Sequence, residues 1–393
     1  MNTTPPVLGN PTTRSAHRSD LASTPRGGLP ARLRVMIGTL LAVVVLAGCG
    51  IRLESPAIPE LAPDADEISR QAMVADAMAI HDEATEALAV VPAGTPEAQS
   101  LQQVADFATL HVDVLGGEYV SGLGHTSGSS ESAGDAGTQT SLDPETLADE
   151  ATASPEAGDG SVPADGVAPP ASTPAPVPAS STTVVSLLTQ SSARSRGSLA
   201  TPVDGSLARL YVSIAASQIE LARDLASSAG IAFTLPEAFG TALPETLPAN
   251  LSTSELTTLV RGEDSAGYGY EVAAARLPAE SRTLSLSRAA THRDRGQEWA
   301  ELASVDETTT DPRQVAYDLP DGVDGTAPLS GVEVVVPFAA EVETTLMTTY
   351  TTLAGQVGPE ERAVFLDLVV DSYATARAFR APLQPFPGMP ERL

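Results

Sequence analysis

Wherever this chain shows a repeating pattern, apolar residues return every three or four positions until proline or glycine breaks the run. That spacing marks an amphipathic helix, because a helical turn takes 3.6 residues. Met73, Ala77, Ile80, Ala84, Leu88 and Val91 form the first stripe, and Pro92 and Gly94 end it. Thr95-Pro96-Glu97 then reads as an N-cap with proline at the first helical position. The helix it opens carries Leu101, Val104, Ala108, His111 and Leu115 on one face and stops at Gly116-Gly117. A short apolar stretch, Val184 to Leu188, predicts a third helix. A fourth, over 203–228, has Leu207, Leu210, Ile214, Leu221 and Leu225 on one face and Gly230 just past its end. Aromatic residues make up only 4% of the chain, so the core is expected to be built from Ala, Leu and Val, which suits closely packed helices.

The C-terminal part repeats the pattern more clearly. Ser252, Thr253 and Ser254 offer N-caps for a helix to about Leu277, and Pro278 opens another to about Ser304. A loop rich in Pro, Asp and Gly covers 305–330. Helices follow over 331–355 and from Pro359 to about Arg380. Two hairpins joined by a longer crossover give the layout of a ferritin-like four-helix bundle. The expected fold is therefore all-α, in two helical bundles. The first covers 66–230 and the second 251–380, with a linker at 231–250 and a proline-rich, non-helical tail at 381–393. Between the second and third helices, residues 121–181 turn to Gly, Ser, Thr, Ala, Pro and acid. Such a stretch buries too little apolar surface to order itself and is expected to be a disordered insertion, with Ser and Thr open to O-glycosylation outside the cell.

The N-terminus addresses the protein. Residues 35–48 form an apolar run of signal-peptide length, too short to span a bilayer, and Arg32 and Arg34 precede it. The run ends in Leu46-Ala47-Gly48-Cys49, which matches a bacterial lipobox with Cys49 as the lipidated residue. Residues 1–48 are thus expected to be a signal peptide and 49–65 a proline-rich tether. Residues 1–34 are long for the region before the apolar run, so translation is expected to start downstream of Met1. Cys49 is the sole cysteine, which rules out an internal disulfide and a cysteine nucleophile once it is acylated. The expected location is the cell membrane, lipid-anchored on the extracytoplasmic face, with the membrane as first partner. The net charge is −28, and the first 48 residues hold five arginines against one aspartate, so the chain from Cys49 onward is more acidic still. That charge repels nucleic acid, which is excluded as a partner.

Several local motifs in the second bundle carry a resemblance. These are Glu263 with Tyr268-Gly269-Tyr270, Ala275-Arg276-Leu277, His292-Arg293-Asp294-Arg295, Ala316-Tyr317-Asp318-Leu319-Pro320 and Phe386-Pro387-Gly388-Met389-Pro390-Glu391. Together they resemble the ferritin-like domain of unknown function of actinobacterial lipoproteins, and the start Cys49-Gly-Ile-Arg-Leu-Glu54 is similar to that group. The resemblance implies a helical bundle and implies no established activity.

Ferritin-like di-metal sites use one Glu from each of two helices and Glu-x-x-His from each of the other two. Here Glu263, His292, Glu343 and Asp371 each fall on the inward stripe of a different helix, but the motifs are broken to Ala289-Ala-Thr-His292 and Asp371-Ser-Tyr-Ala374. Two readings stay open. The four could hold one divalent ion (iron, manganese or zinc). Alternatively they form a buried polar cluster, paired with Arg293, Arg295 or Arg377. Tyr268 and Tyr270 beside Glu263 suit either redox work or core packing. His111 is expected to be a hydrogen-bonded core residue, and His81 and His125 to be solvated. There is no nucleophile elbow, P-loop, dinucleotide fingerprint or His-Glu-x-x-His motif. No catalytic residue is therefore assigned. The leading expectation is a non-catalytic binding or structural module of the cell envelope that engages an envelope protein or small molecule. The alternative is a ferritin-like metal-binding or redox protein with a degenerate site. The two α/β lobes of a transport receptor have no counterpart in the pattern.

Overall fold

The computed structural model describes residues 63–119, 179–240, 242–323 and 331–392. The predicted signal peptide, Cys49 with its lipobox, most of the tether, His125 and the insertion up to residue 178 lie outside the described residues.

Every regular element among the described residues is helical. The helices are α1 (Ala65–Val90), α2 (Pro96–Leu115), α3 (Ser181–Ser198), α4 (Gly205–Ala229), α5 (Thr253–Ala274), α6 (Ala279–Leu302), α7 (Gly331–Ala354) and α8 (Pro359–Ala378), with a 3₁₀ turn at Pro390–Arg392. Their ends follow local chemistry. Asp64 caps α1 by accepting from the Glu67 amide at 2.8 Å, and Thr95 caps α2 ahead of Pro96. Ser252 and Glu255 close a reciprocal capping box on α5. Gly116 and Gly230 end α2 and α4 in the left-handed conformation.

The third helix is much longer than its apolar stretch predicts, because serines continue its inward stripe. Ser191, Ser192 and Ser195 are buried, and the Ser192 hydroxyl donates to the Ala215 carbonyl of α4 at 3.0 Å. A buried hydroxyl with a carbonyl partner is tolerated where a helix must approach closely.

α1–α2 and α3–α4 are hairpins that stack into the first bundle; α5–α6 and α7–α8 form the second. The linker at 231–250 does not separate two bodies. The described residues make one compact unit, and a single apolar core contains Tyr211 and Ile214 of α4 together with Leu259, Trp299, Leu346 and Phe365 of the second bundle. α4 packs on α2 and α3 from one side and on α7 and α8 from the other. Every residue from Leu210 to Ala222 is accordingly buried, not only the predicted leucine face. Charged clamps reinforce the junction. Arg196 of α3 grips Asp367 of α8 with two bonds of 2.9 and 2.8 Å, and Arg362 donates to the Val203 carbonyl at 2.8 Å.

The proline-rich tail is a strap laid over this junction, not a loose end. Its prolines lack amide hydrogens, so its carbonyls are met by side chains. Ser217 donates to Gln384 at 3.0 Å, His111 to Pro385 at 2.9 Å and Ser213 to Pro387 at 2.9 Å. Phe386 and Met389 are buried, and the Phe386 ring meets the His111 ring edge-on. Gly388 has φ +77°, and a Cβ there would run into the Thr351 hydroxyl and stand 2.8 Å from the Met347 carbonyl oxygen.

Two outcomes follow for stability. Gly388→Ala destabilises the fold by at least about 2 kcal/mol in urea unfolding, through left-handed strain plus the clash. Burial lowers His111 to about 4 from 6.5, and its hydrogen bond to Pro385 does not offset this. The unfolded chain therefore binds a proton that the fold does not between those pH values. His111 thus leaves stability intact above about pH 6.5 and erodes it by up to about 3 kcal/mol as pH falls toward 4. His111→Gln keeps an N–H donor but does not titrate, so its stability falls less steeply than wild type between pH 6.5 and 4.5.

Candidate functional site

The inward stripe of α6 is polar. Ser285, Arg288, His292, Arg295 and Trp299 follow one another at spacings of three and four, and all are buried. Gly296 lets α6 lie close to α5, since a Cβ there would already touch the Asp264 backbone at 3.3 Å. This brings the α6 stripe against Glu263 of α5, Glu343 of α7 and Asp371 of α8.

All four residues singled out from the sequence meet in one network. His292 lies between two carboxylates, with Nδ1 2.7 Å from Glu263 Oε2 and Nε2 3.1 Å from Glu343 Oε1. Asp371 stands further off and is reached through arginine. Arg288 donates from Nε to Glu343 Oε1 at 3.0 Å and from Nη1 to Asp371 Oδ2 at 2.8 Å. Arg295 Nη2 pairs with the same Asp371 oxygen at 2.8 Å. Tyr270 donates to Glu343 Oε1 at 3.0 Å, and its ring stacks on that of His292 at 5.5 Å. The tyrosine thus packs in the core and holds the network in place.

Three carboxylates face two guanidiniums and one imidazole, so the charges cancel when His292 is protonated. Burial opposes that proton, but Glu343 and Glu263 outweigh it and hold the His292 pKa above its ordinary value. Burial likewise opposes the Glu343 charge, and His292 and Arg288 more than compensate, keeping the carboxyl well below the usual range. Burial also presses Arg288 to lose its charge, against which Glu343 and Asp371 hold it firmly protonated.

These residues do not fit a metal ion as placed. Glu343 Oε1 and Asp371 Oδ2 are spent on arginine, and among the described residues no group of three or more His, Cys, Asp or Glu is arranged to hold one. Of the three arginines expected as partners, only Arg295 serves. Arg293 pairs with Asp264 and with Glu271, and Arg377 pairs with Asp224 at 2.9 Å. Arg288, which the sequence reading missed, carries the central role. Its place in the 285–288–292–295–299 spacing was the available signal.

A second polar group fixes the crossover loop. Asp264 accepts from the Tyr317 hydroxyl at 2.6 Å and from the Gln314 amide at 3.2 Å. Arg313 binds Asp306 and Asp311, and Arg276 donates to the Gly322 carbonyl at 2.8 Å. The loop so held walls a groove of about 590 Å³ along α5 and α7. A smaller depression of about 390 Å³ lies where α4 of the first bundle meets α8 of the second. His81 is solvent-exposed beside Asp82.

Residues 256–391 match the model of a family described as a domain of unknown function (DUF4439). The matched span covers the second bundle and the strap, and it leaves out α1–α4. No curated protein and no solved structure gives a match to the chain.

Removing Arg288 leaves Glu343 without a guanidinium and Asp371 with Arg295 alone. Arg288→Met therefore costs about 3–5 kcal/mol in urea unfolding. In that background Glu343→Gln costs much less than it does alone, because the uncompensated charge is gone. Additive losses would show that the two side chains do not interact.

Proposed function

We propose that this chain is a lipid-anchored lipoprotein on the extracytoplasmic face of the cell membrane, and that its folded part is a non-catalytic binding or structural module of the cell envelope. The anchoring half rests on the apolar run and the Leu46-Ala47-Gly48-Cys49 sequence. The non-catalytic half rests on one observation. At the centre of the second bundle, which in this reading is ferritin-like, Arg288 bridges Glu343 and Asp371 where a metal would otherwise neutralise them. A charge-balanced network of this kind holds helices together, with arginine standing where a metal would bind the carboxylates.

A second reading keeps one supporting observation. Glu263 and Glu343 converge on His292, and the buried Glu263 Oε1 has no protein partner among the described residues. A divalent ion such as iron, manganese or zinc would have to displace Arg288 and Arg295 to complete its shell.

Mass spectrometry of the untagged protein, after reconstitution with each ion, separates the two. The binding-module reading expects no stoichiometric metal. Near-stoichiometric metal that is lost in both Glu263→Ala and His292→Ala would replace it with a metalloprotein. The anchor is tested by membrane fractionation of Cys49→Ala, which is expected to shift from the membrane to the soluble fraction. Retention at the wild-type level would overturn the lipoprotein assignment.

A further inference from the structure

The groove along α5 and α7 has the chemistry of a small-ligand site. Its floor is apolar, made by Ala266, Val342 and Leu346, and Leu319 and Phe338 close one end. Its volume, about 590 Å³, is in the range of sites that enclose compact ligands. The loop wall is held by the Asp264–Tyr317 bond, so little order has to be gained on binding.

Three charges mark the walls. Arg261 stands on the α5 side, Glu341 on the α7 side and Asp318 on the loop, and all are exposed. Among the described residues none of them makes a hydrogen bond or an ion pair, whereas Arg276 in the α5–α6 link and Arg282, Arg288, Arg293 and Arg295 on α6 all do. The spacing of Arg261 and Glu341 follows from the antiparallel register of α5 and α7, in which Gly262 faces Leu346 and Gly269 faces Phe338. Glu341 therefore lies about six residues further along the groove than Arg261, roughly 9 Å at 1.5 Å per residue. Three residues of extended peptide span about 10 Å from amine to carboxylate.

We propose that this groove binds a short apolar peptide with both ends free, about three residues long, with its carboxylate on Arg261, its amine at Glu341 and its side chains on the apolar floor. This deepens the binding-module reading and rests on it. Arg261 offers the two-pronged donor geometry that suits a carboxylate.

The test is calorimetric titration of the full-length chain in detergent with leucyl-alanyl-leucine, and with the same peptide N-acetylated or C-amidated. The free peptide is expected to bind saturably, and blocking either end to weaken binding about ten-fold, the loss of one charge-assisted contact. Arg261→Gln is expected to remove the penalty of amidation, and Glu341→Gln that of acetylation, while both variants keep the wild-type melting temperature within a few degrees. No saturable binding by the wild type would overturn the proposal. So would an affinity indifferent to both blocks, or variants that discriminate as wild type does. Such a failure leaves the anchor and metal measurements untouched, so it is distinguishable from a failure of the broader reading.

Discussion

A helix buried on every side must belong to two packing layers at once, and α4 is that helix. From Leu210 to Ala222 nothing on it reaches solvent. Its C-terminal residues Leu221, Ala222, Leu225 and Ala226 lie in the first bundle's own core, whereas Leu210, Tyr211, Ile214, Ala215 and Ile219 lie in the core shared with the second. The small residues let α7, α8 and the strap come close, and the Ser213 and Ser217 hydroxyls donate to strap carbonyls. Removing α4 would open both bundles, because its residues belong both to the first bundle's own core and to the larger core shared with the second. The strap exists because of the same constraint. Prolines keep it extended, so it can lie in the seam, and side chains of α2, α4 and α8 supply the hydrogen bonds that its own backbone cannot form.

The second bundle carries a contrasting interior. Its centre is ionic rather than apolar, yet it obeys the rule that a buried charge needs a partner. Arg288, Arg295 and His292 are spaced so that one helix supplies all the positive charge to carboxylates on the three others. Such a network adds little net stability over an apolar core, because desolvation offsets most of the attraction. It does specify which helices face each other, since any rotation would strand a charge. The same fixed frame positions Asp264, which in turn holds the loop that walls the groove.

Much of this was legible in the residues. Helix positions followed from apolar spacing and capping residues, and Glu263, His292, Glu343 and Asp371 were each recognisable as inward-facing. What was not legible has physical causes. Ser191, Ser192 and Ser195 looked like the end of a helix, because a hydroxyl bonded to a carbonyl is invisible to hydrophobic patterning. Arg288 was overlooked because a stripe of Ser, Arg, His, Arg and Trp has no hydrophobic period. The tail was legible only as non-helical, since local sequence cannot reveal that His111, 274 residues away, donates to it.

The most direct test of a single body built around α4 uses the sole tryptophan. Trp299 is fully buried in the second bundle, so its fluorescence reports that half. Hydrogen exchange of the α2 amides reports the other. Followed through the same urea titration, the two probes should give one midpoint, because the largest apolar core is shared by the two bundles. Two separate transitions, with α2 exchanging freely while Trp299 stays buried, would contradict the shared core and restore two independent domains.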